Sequence, residues 1–419
     1  MASTPPDDRT VAAATREPAA EPTWPALDLI SVEDRVREFG AFNVIDWLLD
    51  NGLLPHERYE AWRRGELPHL ESALACPAAA LAEHLDHLSG HARRLGLVND
   101  PVRYYCWRPD QAQRPLSLSP EATRARRFAQ NWARQIDVGQ LDLFMDSGAE
   151  VAENALREAL AGHRIEEAAQ AYERLCGLAP NHRHLGGYDD LLVYCRHLEA
   201  EPSPQAQACA AELAGFEAEI VPLARDLLGA RARDYLAPAW RRLAAALPDE
   251  WFDPASPECH ASHAWLQLPE PAAARASIEA VSGYEREPVL LLRLATSLRL
   301  QRQPAAALLV QARAIEREPE TAREGSGPNG DPALRRHLEA FDDLEEAPDP
   351  ADFPAWLLLQ APGLLEPLER PELPRPSGAA FEAVLDLLRA RATGADEVAA
   401  RERLRAASPA LLRLELQRC

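Results

Sequence analysis

Two stretches of the chain, 139 residues apart, repeat one spacing of residue sizes. In the first, Ala168 is followed by Tyr172, Leu175 and Pro180; in the second, Ala307 is followed by Gln311, Ala314 and Pro319. Steps of four and then three residues fall on one helical stripe. Each stretch therefore predicts a helix that turns a small residue toward a neighbour and is stopped by a proline. A two-helix unit of this kind cannot bury its apolar face alone, so such units stack and leave a concave surface. The balance of 36 Pro against 20 Gly agrees, favouring helices with proline-punctuated joints over a glycine-rich sheet.

The pattern resembles helix B of a tetratricopeptide (TPR) repeat and the proline that closes it. In the second window Leu291, Leu294, Ala295 and Leu298 stand where helix A of that repeat carries its packing residues. The first window matches less well there, with Leu156 where a small residue is usual. The separation is close to four repeats of about 34 residues, although Pro222, Pro238 and Pro248 interrupt the helix pairs between. The resemblance implies a mainly α fold built as a TPR-like α-solenoid. It implies repeat packing by Ala168, Tyr172, Leu175, Pro180, Leu291, Leu294, Ala295, Ala307, Ala314 and Pro319. A plain helical bundle using alanine for close packing is the competing expectation.

The remaining segments follow from local signals. Residues 1–28, rich in Pro, Ala, Thr and acids without periodicity, read as a disordered tail. Residues 29–136 read as a small helical module: Ser31 caps a helix running through Phe42, Val44, Ile45, Trp47, Leu48 and Leu49 to a stop at Asn51–Gly52. Pro55, Pro68 and Pro77 open further helices, and Ser119–Pro120 opens one expected to reach Gln135. The runs Val102–Trp107 and Pro115–Leu118 predict a small β-hairpin. Residues 137–147 are a linker, 148–345 the TPR-like repeats, 346–377 an acidic, proline-rich linker, and 378–419 a pair of C-terminal helices, about 378–392 and 395–415.

Every one of the 45 basic residues is Arg. Chemistry that needs a lysine amine is excluded: a phosphate loop ending in Gly-Lys-Ser/Thr, a kinase-type nucleotide lysine and a Schiff-base enzyme. Arg without Lys, with abundant Ala and Pro, also suggests a GC-rich bacterial genome. The net charge of -21 keeps a chain soluble and repels nucleic acid on average. The seven cysteines are scattered, with no Cys-x-x-Cys pair, as in a reducing compartment. The first 25 residues lack a signal-type apolar core, and the most apolar stretch, Val289–Leu300, contains Arg293 and Arg299 and is too short to span a bilayer. The expectation is a cytoplasmic protein.

The sharpest short motif is Gln140-Leu141-Asp142-Leu143-Phe144, which resembles the pentapeptide by which bacterial proteins dock on the DNA polymerase sliding clamp. The resemblance implies that Leu143 and Phe144 fill an apolar groove while Gln140 makes polar contacts. Against that stands a linker whose Leu141, Leu143 and Phe144 pack on the first repeat. Residues 91–136 carry nine arginines, at 93, 94, 103, 108, 114, 124, 126, 127 and 134, against Asp100, Asp110 and Glu121, so this segment is locally +6 while the remainder sums to -27. Interleaved aromatics (Tyr104, Tyr105, Trp107, Phe128, Trp132) make Arg93, Arg94, Arg103, Arg108, Arg114, Arg124, Arg126 and Arg127 nucleic-acid-binding candidates. Pairing of Arg124, Arg126 and Arg127 with the acidic repeats is the alternative. His84, His87 and His91 share a helix face, and Cys259, His260 and His263 cluster, but neither set carries a complete ligand spacing, so no metal and no cofactor is expected. Gly-x-Ser-x-Gly, His-Glu-x-x-His and Gly-x-Gly-x-x-Gly are missing from the sequence. The expected function is a non-catalytic scaffold or adaptor that binds a protein partner on the repeat array. The alternative is a DNA replication or repair accessory factor that docks on the clamp through Gln140–Phe144 and contacts DNA through 91–136.

Overall fold

The computed structural model describes residues 31–108, 114–134, 147–200, 206–268, 270–320, 331–344, 348–368, 370 and 373–418. The chain is mainly helical across them. Helix α1 (Val32–Phe39) is capped by Ser31, whose Oγ accepts from the Asp34 N–H at 3.1 Å, and it stops at Gly40 with φ +75°. Strand β1 (Ala41–Asn43) follows. Asn43 then caps α2 (Val44–Asp50), its Oδ1 accepting from the N–H groups of Ile45 and Asp46. The single helix expected from Ser31 to Leu49 is thus two. Gly40 ends the first in a left-handed conformation that Cβ-bearing residues avoid, and Asn43 restarts the chain.

Helices α3 (His56–Arg63) and α4 (Ala78–Arg94), strand β2 (Leu97–Asn99), helix α5 (Ala122–Phe128) and strand β3 (Asn131–Arg134) complete the module. The helix expected to reach Gln135 ends at Phe128. The next residues form β3, the central strand of a three-stranded antiparallel sheet of order β1-β3-β2. Trp132 pairs with Phe42 across β1 and β3, and both side chains are buried with Trp47, Trp62 and Phe128 in the module's core. The runs 102–107 and 115–118 meet at one antiparallel bridge, Tyr105 opposite Pro115. The Leu116 N–H donates to the Tyr104 carbonyl at 2.8 Å. The second run is also tied to the turn after α3, where the Leu70 N–H donates to the Ser117 carbonyl at 3.1 Å.

From Ser147 the chain forms helix after helix. Helix α6 (Ser147–Ala161) pairs with α7 (Ile165–Leu178), which packs on α8 (Leu185–Ala200). Then come α9 (Ala206–Gly215), a π-turn at Phe216–Ile220, α10 (Val221–Leu228), α11 (Ala232–Ala246), α12 (Ala261–Gln267), α13 (Pro271–Ala280), α14 (Pro288–Leu300) and α15 (Pro304–Arg317). From α10 to α15 each helix packs on the next in chain order. Pro271, Pro288 and Pro304 each open a helix at its first position, where no amide hydrogen bond is lost. Ala168 and Leu175 on α7, and Ala307 and Ala314 on α15, are fully buried, with Leu291, Leu294 and Ala295 facing them in the α14–α15 pair. Tyr172 is partly buried, and Pro180 and Pro319 stand just past the ends of their helices.

Helix α16 (Pro332–Asp342), α17 (Phe353–Gln360), the single turn α18 (Leu365–Leu368), α19 (Ala379–Thr393), α20 (Val398–Ala407) and α21 (Pro409–Arg418) follow. The expected linker 346–377 is corrected here. It contains α17, whose residues 353–359 are all buried between α15 and α19. A helix apolar on every side belongs in a core, and Phe353-Pro-Ala-Trp-Leu-Leu-Leu359 is one. The two expected C-terminal helices are three, because Pro409 begins a new helix after Ser408.

Candidate functional site

The module sits on the helical array through a seam of ionic and polar contacts. At its centre is Arg63 on α3, 2% exposed. Its Nη1 lies 2.9 Å from Asp234 Oδ2 on α11, and its Nη2 3.9 Å from Glu158 on α6. Tyr59, one helical turn before it, donates its hydroxyl to Asp234 Oδ1 at 2.7 Å. The Arg63 guanidinium also lies over the rings of Trp107 and Tyr104, at 4.7 and 5.3 Å from their centroids. Burial pushes the Asp234 carboxyl up, against the pull of Arg63. Burial opposes the Arg63 charge too, but Asp234 and Tyr59 more than offset it. The result is a cation enclosed by aromatic rings and anchored to one buried carboxylate.

The seam continues on both sides. Glu60 is bridged by Arg241 of α11 and by His56, 3.4 Å away. Although burial raises its pKa, hydrogen bonds from His56 and Arg241 outweigh that and hold it at about 2. Arg233 of α11 reaches both Asp46, at 3.2 Å, and Asp50, at 2.5 Å, and Asp50 also pairs with Arg35. Arg299 Nη1 on α14 donates to the Asp50 carbonyl at 3.3 Å. Asp34 lies 3.7 Å from Arg335 on α16. Gly52 (φ +63°) brings the module's backbone against the end of α14, where a Cβ would stand 2.3 Å from the Leu300 carbonyl oxygen.

Two cavities flank the seam. One, of about 280 Å³, lies between α1, α10, α11 and α14, with Arg35, Arg225, Arg233 and Arg299 in its wall. The other, of about 770 Å³, separates the 100–105 segment from α6 and α7 and is lined by Arg103, Arg157, Arg164 and Arg231 with Asp100, Glu158 and Glu167.

The arginine-rich segment is not one surface. Arg127 makes a two-pronged contact with Asp86, at 2.7 and 2.8 Å, and hydrogen bonding from Arg127 holds that carboxyl below its ordinary range. Arg124 pairs with Glu71 and Glu121. These acids belong to the module itself, so the expected pairing with the repeats is corrected. Glu121 is one helical turn from Arg124, while Glu71 and Asp86 are brought to their arginines by the module's own fold. Arg93 lies 5.3 Å from the Trp132 ring centroid, and Arg94 points to His91 at 3.4 Å. Arg103 lines the larger cavity, while Arg108, Arg114 and Arg126 are exposed.

The histidines separate as well. His84 stacks on Trp47 at 5.7 Å, His87 contacts the Glu83 carbonyl, and His91 pairs with Glu33. His260 is an N-cap, its Nδ1 accepting from the Ser262 N–H at 3.2 Å, and burial with the nearby Arg293 charge lowers it to about 4. His263 pairs with Glu217 at 2.7 Å. No group of three or more His, Cys, Asp or Glu suited to a metal occurs among the described residues, and none of their helices is long and apolar enough to cross a membrane. Gln140–Phe144 lies outside the described residues.

Sequence reasoning missed Asp234, Arg233 and Glu158, which meet module residues 95 to 187 positions away. One signal was present: Arg293 and Arg299 interrupt the chain's most apolar stretch, and charges there need a structural or chemical reason. Compared with known protein families, curated proteins and solved structures, the chain matches none of them.

Proposed function

We propose that this protein is a non-catalytic interaction scaffold or adaptor that binds a protein partner on a TPR-like helical array. The observation that carries this reading is the repetition of one packing device. Ala168 in α7 and Ala307 in α15 are both fully buried at the same point of a closely packed helix pair. Between those pairs the helices from α10 onward pack neighbour on neighbour, the arrangement that leaves an extended face for a ligand protein. Val151, Leu178 and Val193 put exposed apolar side chains on α6, α7 and α8. Affinity capture from cells, comparing wild type with the triple variant Val151→Glu, Leu178→Glu, Val193→Glu, tests it. A partner retained by wild type and lost by the variant supports the reading. Identical recovery by both places the contact elsewhere.

A second reading rests on the exposed arginines. Arg103, Arg108 and Arg126 have no carboxylate partner among the described residues, which leaves them available to phosphates. In this reading the protein is a replication or repair accessory factor that docks on the sliding clamp through Gln140–Phe144 and touches DNA. Purified clamp should bind wild type but not the Leu143→Ala, Phe144→Ala variant. DNA affinity should fall by about a decade or more between 50 and 200 mM salt, since three phosphate contacts give a slope near -3 on logarithmic axes.

A further inference from the structure

We propose that the cavity between α1, α10, α11 and α14 binds a small organic anion with an apolar body, anchored by Arg299 and Arg233. The charge balance of the wall comes first. Arg35, Arg233 and Arg299 share this wall with Asp46 and Asp50. Both carboxylates are already engaged, Asp50 by Arg35 and Arg233 and Asp46 by Arg233. The wall therefore keeps an excess of positive charge.

That excess is concentrated on Arg299. No carboxylate lies within ion-pair distance of it among the described residues, and its one hydrogen bond goes to the Asp50 backbone carbonyl at 3.3 Å. A guanidinium below the surface with one long bond to a neutral acceptor is poorly compensated. Burial accordingly pulls its pKa down, against the more distant pull of Asp331. Two further buried atoms of the same lining lack a hydrogen-bond partner, the Nη1 donor of Arg233 and the Oδ1 acceptor of Asn131. Buried polar atoms in folded proteins are ordinarily satisfied, so these two call for a partner, water or ligand.

The chemistry of the walls defines that occupant. A guanidinium and an orphaned N–H ask for an oxyanion, a carboxylate or a phosphate monoester, to which Arg donates in a planar fork. Leu236, Trp240, Leu266 and Leu300 supply an apolar wall, and the Phe39 ring is held beneath Arg225, 4.9 Å from its centroid. A site lined by apolar side chains with a few convergent polar groups is the usual form of a small-molecule pocket. At about 280 Å³ this one admits a single-ring compound. The proposal is independent of the scaffold reading.

Calorimetric titration of the full chain at low ionic strength tests it, using phenyl phosphate, benzoate, inorganic phosphate and neutral phenol. One saturable site for phenyl phosphate or benzoate is expected, with phenol and inorganic phosphate each at least about tenfold weaker, a difference of about 1.4 kcal/mol. Preference between the two aryl anions assigns the head group as phosphate or carboxylate. Arg299→Gln should weaken the preferred anion by about tenfold or more. This variant removes an unpaired charge and is expected to fold. Ala230→Leu, which fills the cavity without altering any charge, should abolish binding independently. Absence of saturable binding for both aryl anions up to about 10 mM, well above the roughly 1 mM of a weak site, overturns the proposal. So does phenol binding as tightly as the anions, or unchanged affinity in a folded Arg299→Gln or Ala230→Leu protein.

Discussion

Replacing Gly52 by alanine should loosen the module from the array, and the size of the effect can be worked from two distances. Gly52 has φ +63°, a conformation that costs a Cβ-bearing residue about 1–2 kcal/mol. Its added Cβ would lie 2.3 Å from the Leu300 carbonyl oxygen and 3.0 and 3.1 Å from that residue's carbonyl carbon and Cα. A carbon–oxygen contact ordinarily sits at about 3.3 Å, so the two backbones must part by about 1 Å. The hydrogen bond from Arg299 to the Asp50 carbonyl is already 3.3 Å and does not survive that separation. Its loss adds about 1 kcal/mol, and overpacking of the seam about 1 kcal/mol more. The sum is about 3–4 kcal/mol. Gly40 is the internal control: its φ is +75°, but nothing lies within 4 Å of an added Cβ. Gly40→Ala should therefore cost only the backbone part, about 1–2 kcal/mol. Denaturant unfolding of both variants, compared by midpoint at constant slope, separates the terms. Equal destabilisation by the two substitutions would refute the close backbone approach as a determinant of docking.

Three further outcomes follow from the same contacts. Asp234→Ala leaves the buried Arg63 charge facing only the more distant Glu158, 3.9 Å away, and should cost about 3–5 kcal/mol; the double variant Arg63→Met, Asp234→Leu should recover most of that loss in the same unfolding experiment, and a double variant as unstable as the single one counts against an ionic cause. Glu60 is held at about 2, below its ordinary 4.5, so its contribution to stability is full above pH 4.5 and is lost as pH falls toward 2. Thermal midpoints of wild type and Glu60→Gln should therefore differ at pH 6 and converge near pH 2. His260 is held neutral down to about 4, so the unfolded chain takes up its proton first and stability drops between pH 6.5 and 4. His260→Asn keeps an acceptor for the Ser262 N–H and should flatten the pH profile of unfolding across that interval; an unchanged profile would assign the drop to other groups.

The helices were legible wherever the signal was local. Ser31, Asn51–Gly52, Pro55, Pro77 and the Ala168 and Ala307 stripes all mark elements close to where the structure has them. The strands were not, because β1, β2 and β3 are three, three and four residues long, too short to show alternation. Gly40 and Asn43 carried the needed stop and start signals, but the apolar run from Phe42 to Leu49 masked them. Helix α17 was hidden by its acidic and proline-rich surroundings, although Phe353–Leu359 has the composition of a core segment. The seam and its cavities were illegible for a different reason. Tyr59 meets Asp234 across 175 positions and Asp50 meets Arg299 across 249, and no local pattern encodes such pairings.

The seam also has a mechanical consequence. A stack of helix pairs in which each touches only its neighbours deforms like a spring, because bending is shared among many small joints. Here the module holds the stack at widely spaced points, Glu158 on α6, Asp234 and Arg241 on α11, Arg299 and Leu300 at the end of α14, and Arg335 on α16. It acts as a strut laid across these helices, fixing how they sit relative to one another. If the partner proposed above binds these helices, it meets a surface already shaped, and little ordering free energy is spent on association.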